Sequence, residues 1–121
     1  MSALEDQFLG LWQANFPRLT LVREFSDVEA WEADFQERYA KSKRSKRYRA
    51  DFAHLPSRSL IEIQGGTFNR GRHVTGSGYE RDARKFNLAT MCGWRVFLLT
   101  SQTAKDAFWL GKIAAALDAA R

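Results

Sequence analysis

Residues 48–54 and 59–64 are two short segments of alternating character joined only through Leu55, Pro56, Ser57, Arg58 and Ser59. A connection that short suits a hairpin between antiparallel neighbours, because a parallel return needs a crossover of a dozen residues or more. Alternation then assigns the faces. Tyr48, Ala50 and Phe52 share one side of the first strand, leaving Arg49, Asp51 and Ala53 on the other; in the second, Ile61 and Ile63 oppose Leu60, Glu62 and Gln64. Pairing centred near Ser57 brings Asp51 opposite Glu62, with Cβ atoms about 5 Å apart.

Two facing carboxylates repel and destabilise a sheet unless something neutralises them. A divalent ion does so. Mg²⁺ takes one or two carboxylates and completes its shell with water and phosphate oxygens, and it can then activate a water against a phosphate. The bland alternative is a pair of solvent-facing acids, one of them bridged to Arg49 or Arg58. A one-residue slip of register would separate them altogether.

The rest of the chain alternates helix and strand signals. Ser2 with Glu5, Ser26 with Glu29 and Ser77 with Glu80 have the spacing of capping boxes, and Thr103 with Asp106 has a similar one. The apolar stripes that follow are Leu4, Phe8, Leu11 and Trp12; Val28, Trp31, Phe35 and Tyr39; Tyr79, Ala83, Phe86 and Ala89; and Ala107, Leu110, Ala114 and Leu117. Pro17 ends the first helix, and Gly93 is a C-terminal stop for the third. Strands are expected over 19–25, 48–54, 59–64 and 94–100. The order is helix, strand, inserted helix, strand, strand, helix, strand, helix: an α/β fold with a mixed sheet. At 121 residues, 45% of them hydrophobic, residues 1–121 make a single domain with a real core.

A net charge of +5 points to a polyanionic partner. Six cations fall in the nine residues 41–49, namely Lys41, Lys43, Arg44, Lys46, Arg47 and Arg49, and they are the candidates for sequence-independent phosphate contact. Residues 65–78 hold five of the eight glycines together with Phe68, Arg70, Arg72 and His73, a loop whose backbone can approach a ligand closely. Most aromatic residues fall on apolar stripes and read as core; Phe68 is the one to test against bases, and Trp109, off the main stripe of its helix, is a candidate dimer contact. Arg81 and Asp82 read as a solvated helix face. A lone Cys92 excludes an internal disulfide, and no apolar run approaches the ~20 residues that span a bilayer. With no signal-peptide pattern at the acidic N-terminus, the expectation is an intracellular, cytoplasmic protein without a membrane partner.

The stretches RADFA at 49–53, LIEIQGG at 60–66 and GRHVTGSGYERDARKFNLATMCGWRVFLLT at 71–100 resemble the PD-(D/E)xK nuclease superfamily. The likeness is greatest to its compact phage and mobile-element members and to the related very-short-patch-repair-like endonucleases. The resemblance implies a restriction-endonuclease-like core: a helix, a three-stranded antiparallel meander, a helix and a further strand, with the Ser26 helix inserted. It implies DNA phosphodiester hydrolysis with Asp51 and Glu62 binding Mg²⁺, Mn²⁺ being able to substitute. The family's lysine position is held here by Gln64, which cannot take up a proton at neutral pH but whose amide oxygen can hold a water or touch the metal. Lys85 on the third helix is the candidate replacement for the missing charge, and His73 the candidate to protonate the leaving oxygen. Family members also carry an acid on the first helix, for which Glu5 is the candidate; it reads equally as a capping carboxylate. Two function classes stand: an endonuclease such as a junction resolvase or homing-type enzyme, and a catalytically inactive DNA-binding module of the same fold. The paired acids favour the enzyme. Cutting both strands calls for two sites, hence a homodimer.

Overall fold

The structure, a computed structural model, describes residues 2–43, 45–64 and 76–120. Four strands, β1 (Val22–Phe25), β2 (Ala50–His54), β3 (Ser59–Ile63) and β4 (Arg95–Leu99), form one sheet in that spatial order. β1 pairs antiparallel with β2 and β2 with β3, whereas β4 joins β3 in parallel. The parallel step is made through α3 (Gly76–Met91), the crossover such a pair requires. α1 (Ala3–Asn15) precedes the sheet, α2 (Trp31–Arg38) is inserted between β1 and β2, and a one-turn 3-10 helix (Thr103–Lys105) leads from β4 into α4 (Ala107–Ala119). The α/β class, the mixed sheet and the order of elements agree with expectation.

Helices cover both faces of the sheet. Phe8 and Trp12 of α1 and Leu110 and Leu117 of α4 pack with Phe52, Ile61 and Leu99 on one side; Trp31 of α2 and Ala89 of α3 pack with Ala53, Leu60 and Trp94 on the other. The middle strands are therefore apolar on both faces. Two deep indoles place their N–H groups on backbone carbonyls, Trp12 on Leu19 at 2.8 Å and Trp31 on Lys85 at 2.9 Å, which satisfies the polar tip that burial would otherwise strand.

Three of the four expected helix starts move. Ser2 does cap α1, its hydroxyl accepting from the Glu5 amide at 3.1 Å. Ser26 caps nothing: α2 begins at Trp31 behind Ala30, because Glu29 is used instead by the Trp94 indole at 3.0 Å and by Arg58. α3 starts at Gly76, so Ser77 lies inside it. Thr103 belongs to the 3-10 turn, and Asp106 caps α4 by accepting from the amides of Phe108 and Trp109.

The stripe on α3 also differs from expectation. Tyr79 is 67% exposed, while Lys85 joins Ala89 on the buried side. On α4, Ala107 is exposed and Ile113 takes its place in the core.

Gly93 stops α3 as expected. At φ +87 it sits where the Trp94 amide reaches back to Ala89 and its own amide to Thr90, the paired bonds of a Schellman turn. A Cβ there meets only Arg58 Nε at 3.8 Å, so its cost is conformational and not steric. Gly93→Ala is expected to lower stability by about 1 kcal/mol, read as a lower urea midpoint at unchanged slope; an unchanged midpoint would remove the glycine from the account of the turn.

Candidate metal and active site

The β2–β3 register runs His54↔Ser59, Ala53↔Leu60, Phe52↔Ile61. One step further along, Asp51 meets Glu62, and there side chains replace the backbone ladder. The Asp51 amide donates to Glu62 Oε2 at 2.7 Å, and the Ile63 amide donates to Asp51 Oδ2 at 2.8 Å. Each carboxylate thus takes an amide of the opposite strand. On the other flank, β1 pairs with β2 on both sides of Glu24 but not at it, and Glu24 has φ 50, a left-handed conformation uncommon outside glycine and a short list of polar residues.

The sheet changes face at this row. Tyr48 and Ala50 pack with Phe25 and Trp31, whereas Phe52 packs with Phe8 and Ile61. The expectation that residues 48, 50 and 52 share a side is therefore corrected, and the break falls at Asp51.

Lys85 reaches the row from α3. Its Nζ donates to Glu62 Oε1 at 3.0 Å and to the carbonyl of Arg49 at 3.0 Å, and both side chains of the pair are only 11% exposed. Burial pushes the Glu62 carboxyl above its usual range; Lys85 pulls against that rise, and the charge of Asp51 adds to it. Glu5 is raised as well, first by partial burial and then by Asp51, with Glu24 adding and the Ser2 hydroxyl opposing. Negative charge gathers at this end of the sheet. The alternative bridges do not form: Arg49 pairs with Glu24 at 2.8 Å and Arg58 with Glu29 at 3.1 Å.

Among the described residues, no three His, Cys, Asp or Glu side chains gather to hold a metal ion. An all-protein cage of the calcium or structural zinc kind is thus not built from them. The donor chemistry does fit Mg²⁺. Asp51 Oδ1 has no hydrogen bond among the described residues, and the Glu62 oxygens, each accepting one bond to this row or to Lys85, keep lone pairs of their own. Two carboxylates with water and phosphate oxygens suffice for that ion.

The other sequence candidates are distributed around this row. Gln64 directly follows β3, half-buried, its amide on the Leu99 carbonyl at 2.7 Å. Lys41, Lys43, Lys46, Arg47 and Arg49 are exposed, with Arg47 paired to Glu32 at 2.7 Å. Arg44, Phe68, Arg70, Arg72 and His73 lie outside the described residues.

Arg81 is half-buried and engaged, not simply part of a solvated face. Its guanidinium stands 4.8 Å from the ring centroids of both Tyr39 and Tyr48 and donates to the Lys46 carbonyl. Sequence reasoning also missed Asp34, buried on α2, which accepts from the Tyr48 hydroxyl at 2.7 Å and pairs with Arg84. The signal was present, since Asp34 follows Trp31 by three residues and adjoins Phe35 on the apolar stripe. Arg84 and the Tyr48 hydroxyl hold the Asp34 carboxyl below its usual range against the opposing effect of burial. No helix among the described residues is long and apolar enough to cross a membrane.

Because the Glu62 pKa is raised on folding, the stability tied to this group is full below its unfolded pKa and is lost as pH rises through the folded one. Lys85→Met removes the opposing charge and pushes the folded pKa higher still. The expected extra destabilisation is about 3 kcal/mol in mildly alkaline solution and shrinks as acid protonates Glu62. Adding Glu62→Gln should recover much of it. Urea midpoints measured from acid to mildly alkaline pH decide the matter; a loss equal at every pH would mean that Lys85 does not compensate Glu62. Comparison with protein-family profiles, curated proteins and solved structures finds no match to this chain, so the site stands on its own geometry.

Proposed function

We propose that this chain is a metal-dependent DNA endonuclease with a restriction-endonuclease-like core, in which Asp51 and Glu62 hold the ion and Lys85 supplies the charge that Gln64 lacks. The observation that carries the reading is the Asp51–Glu62 exchange across an interrupted ladder, with a buried lysine on Glu62. The order of α1, the β1–β2–β3 meander, α3 and parallel β4 agrees with it.

Mg²⁺ or Mn²⁺, when bound, supplies an activated water and stabilises charge on the attacked phosphate. The chain's own residues do the rest. Asp51 and Glu62 are held in place by the amides of Ile63 and Asp51, so the donor oxygens are set before substrate arrives. Lys85 orients Glu62 through Oε1 and carries a positive charge beside the position of the scissile phosphate. Gln64 follows Glu62 by two residues, and its side-chain amide oxygen can hold the attacking water. Lys41, Lys43 and Lys46 are exposed and make no ion pair among the described residues; they take the phosphate contacts, while Arg47 and Arg49 are engaged by Glu32 and Glu24. The inactive DNA-binding module is the second reading, favoured by the fact that Lys85 already answers the Glu62 charge within the protein.

The test incubates the protein with linear duplex, single-stranded and four-way-junction DNA and Mg²⁺, Mn²⁺ or a chelator. Cleavage is expected with metal and not with chelator. Asp51→Asn and Glu62→Gln should each lower the rate by ~100-fold or more, and Lys85→Ala by ~100-fold with DNA affinity retained. Binding without cleavage under either metal would leave the inactive module as the better account. Replacing the three lysines should flatten the salt dependence of binding by ~0.9 in log–log slope per lost contact.

A further inference from the structure

α4 presents an aromatic pair that its own packing does not explain. Leu110, Ile113, Ala114 and Leu117 anchor the helix, while Phe108 is 75% and Trp109 41% exposed. Phe108 and Lys112 lie four residues apart on α4, and Lys105, also exposed, ends the 3-10 turn just before the helix. Lys112 Nζ stands 5.1 Å from the Phe108 ring centroid. The nearest acid in sequence, Asp106, is committed to the amides of Phe108 and Trp109. The exposed surface thus carries two aromatic rings and two lysines against the single carboxylate of Asp106.

Its position in the fold matters as much as its chemistry. The parallel register sets Leu98 beside Glu62 and Leu99 beside Ile63, so β4 leaves the sheet at the carboxylate end. The chain then turns through the 3-10 helix into the first turn of α4. Ala104 and Leu110 share a cluster with Phe8, one turn along α1 from Glu5. Leu98 itself is half exposed.

We infer that Phe108 and Trp109, flanked by Lys105 and Lys112, stack against unpaired bases of single-stranded DNA. The choice of DNA, and the further statement that this strand is the one cut, rest on the nuclease reading; the stacking on unpaired bases does not. Stacking on an aromatic ring needs a base with a free face, which an unpaired nucleotide offers and a base inside a duplex does not. Lysines beside the rings take the phosphates as point charges. A second copy of this chain is the poorer occupant, because a two-fold contact through this face gathers the Lys105 and Lys112 charges of both copies with only the two Asp106 carboxylates beside them. On the nuclease reading, the substrate class narrows to DNA that carries unpaired bases, as at a junction, a flap or a free single strand.

The experiment uses the whole chain without metal. Trp12, Trp31 and Trp94 are 1%, 1% and 5% exposed, so a change in tryptophan emission on adding oligothymidylate reports Trp109. Quenching by the oligonucleotide is expected in the unsubstituted chain, and affinity, read for every variant by the anisotropy of dye-labelled oligothymidylate, should fall at least ~5-fold for each of Phe108→Ala and Trp109→Ala. Affinity for a duplex of equal length should stay unchanged, and Trp109→Phe should retain most single-strand affinity. Both side chains are exposed, and circular dichroism verifies that the variants fold. Absence of quenching, or equal weakening for duplex and single strand, overturns the inference. So does a dimer in sedimentation that these substitutions dissolve while oligonucleotide affinity stays the same. Quenching retained in a cleavage-dead Asp51→Asn keeps the inference whatever becomes of the nuclease reading, and cleavage without quenching defeats the inference alone.

Discussion

The reciprocal bonds between the Asp51 and Ile63 amides and the carboxylates of Glu62 and Asp51 decide what this end of the sheet can be. β2 and β3 lie in the middle of the sheet with helices over both faces. An amide left without a partner there costs about 1–3 kcal/mol. The side chains meet that demand where the ladder stops, and in doing so they fix both acids against the backbone. The same bonds create the need for a cation, since they bring two carboxylates together where water is scarce. Lys85 answers from α3, and α3 is held at that distance by the crossover to β4 and by the turn at Gly93.

The inserted helix serves the same region. Asp34 of α2 is bound to Arg84 and Tyr48, and Arg81 lies against Tyr39 and Tyr48 while holding the Lys46 carbonyl. Lys85 holds the Arg49 carbonyl. The segment between α2 and β2 is thus tied at two backbone positions to the helix that supports Glu62. The exposed Lys46 is thereby held on a path that leads into Asp51.

Much of this was legible in the sequence, and the failures have definite causes. The hairpin register could be read because a short connection leaves few choices. The Ser2 cap could be read because nothing competes for its hydroxyl. Ser26 misled because the acid three residues later had a tertiary partner in Trp94 and Arg58. Tyr79 and Lys85 exchanged roles on α3 because an ion pair, and not hydrophobicity, sets that face inward near the site. The break in alternation at Asp51 left no mark in residue types: it coincides with Glu24 at φ 50, which no propensity anticipates. Asp34 could have been found, as a charge on an apolar stripe has to be answered somewhere.

The two buried carboxylates of this fold carry opposite signs of strain. Asp34 is drawn below its usual range by partners that more than offset its burial, so the charged form is the one the structure favours, and its work is to hold α2, α3 and Tyr48 together. Glu62 is pushed above its usual range even with Lys85 at 3.0 Å. As pure architecture that is a poor arrangement, because well-packed apolar side chains of similar volume often serve stability as well as a buried ion pair or better. The unfavourable group also sits where the ladder is interrupted, beside a left-handed Glu24 and a second acid. Cost concentrated in one row, with the rest of the core conventionally packed, is more characteristic of functional sites than of architecture. That contrast between Asp34 and Glu62 sets the Asp51–Glu62 row apart from the rest of the core, in keeping with the reciprocal bonds on which the proposed function rests.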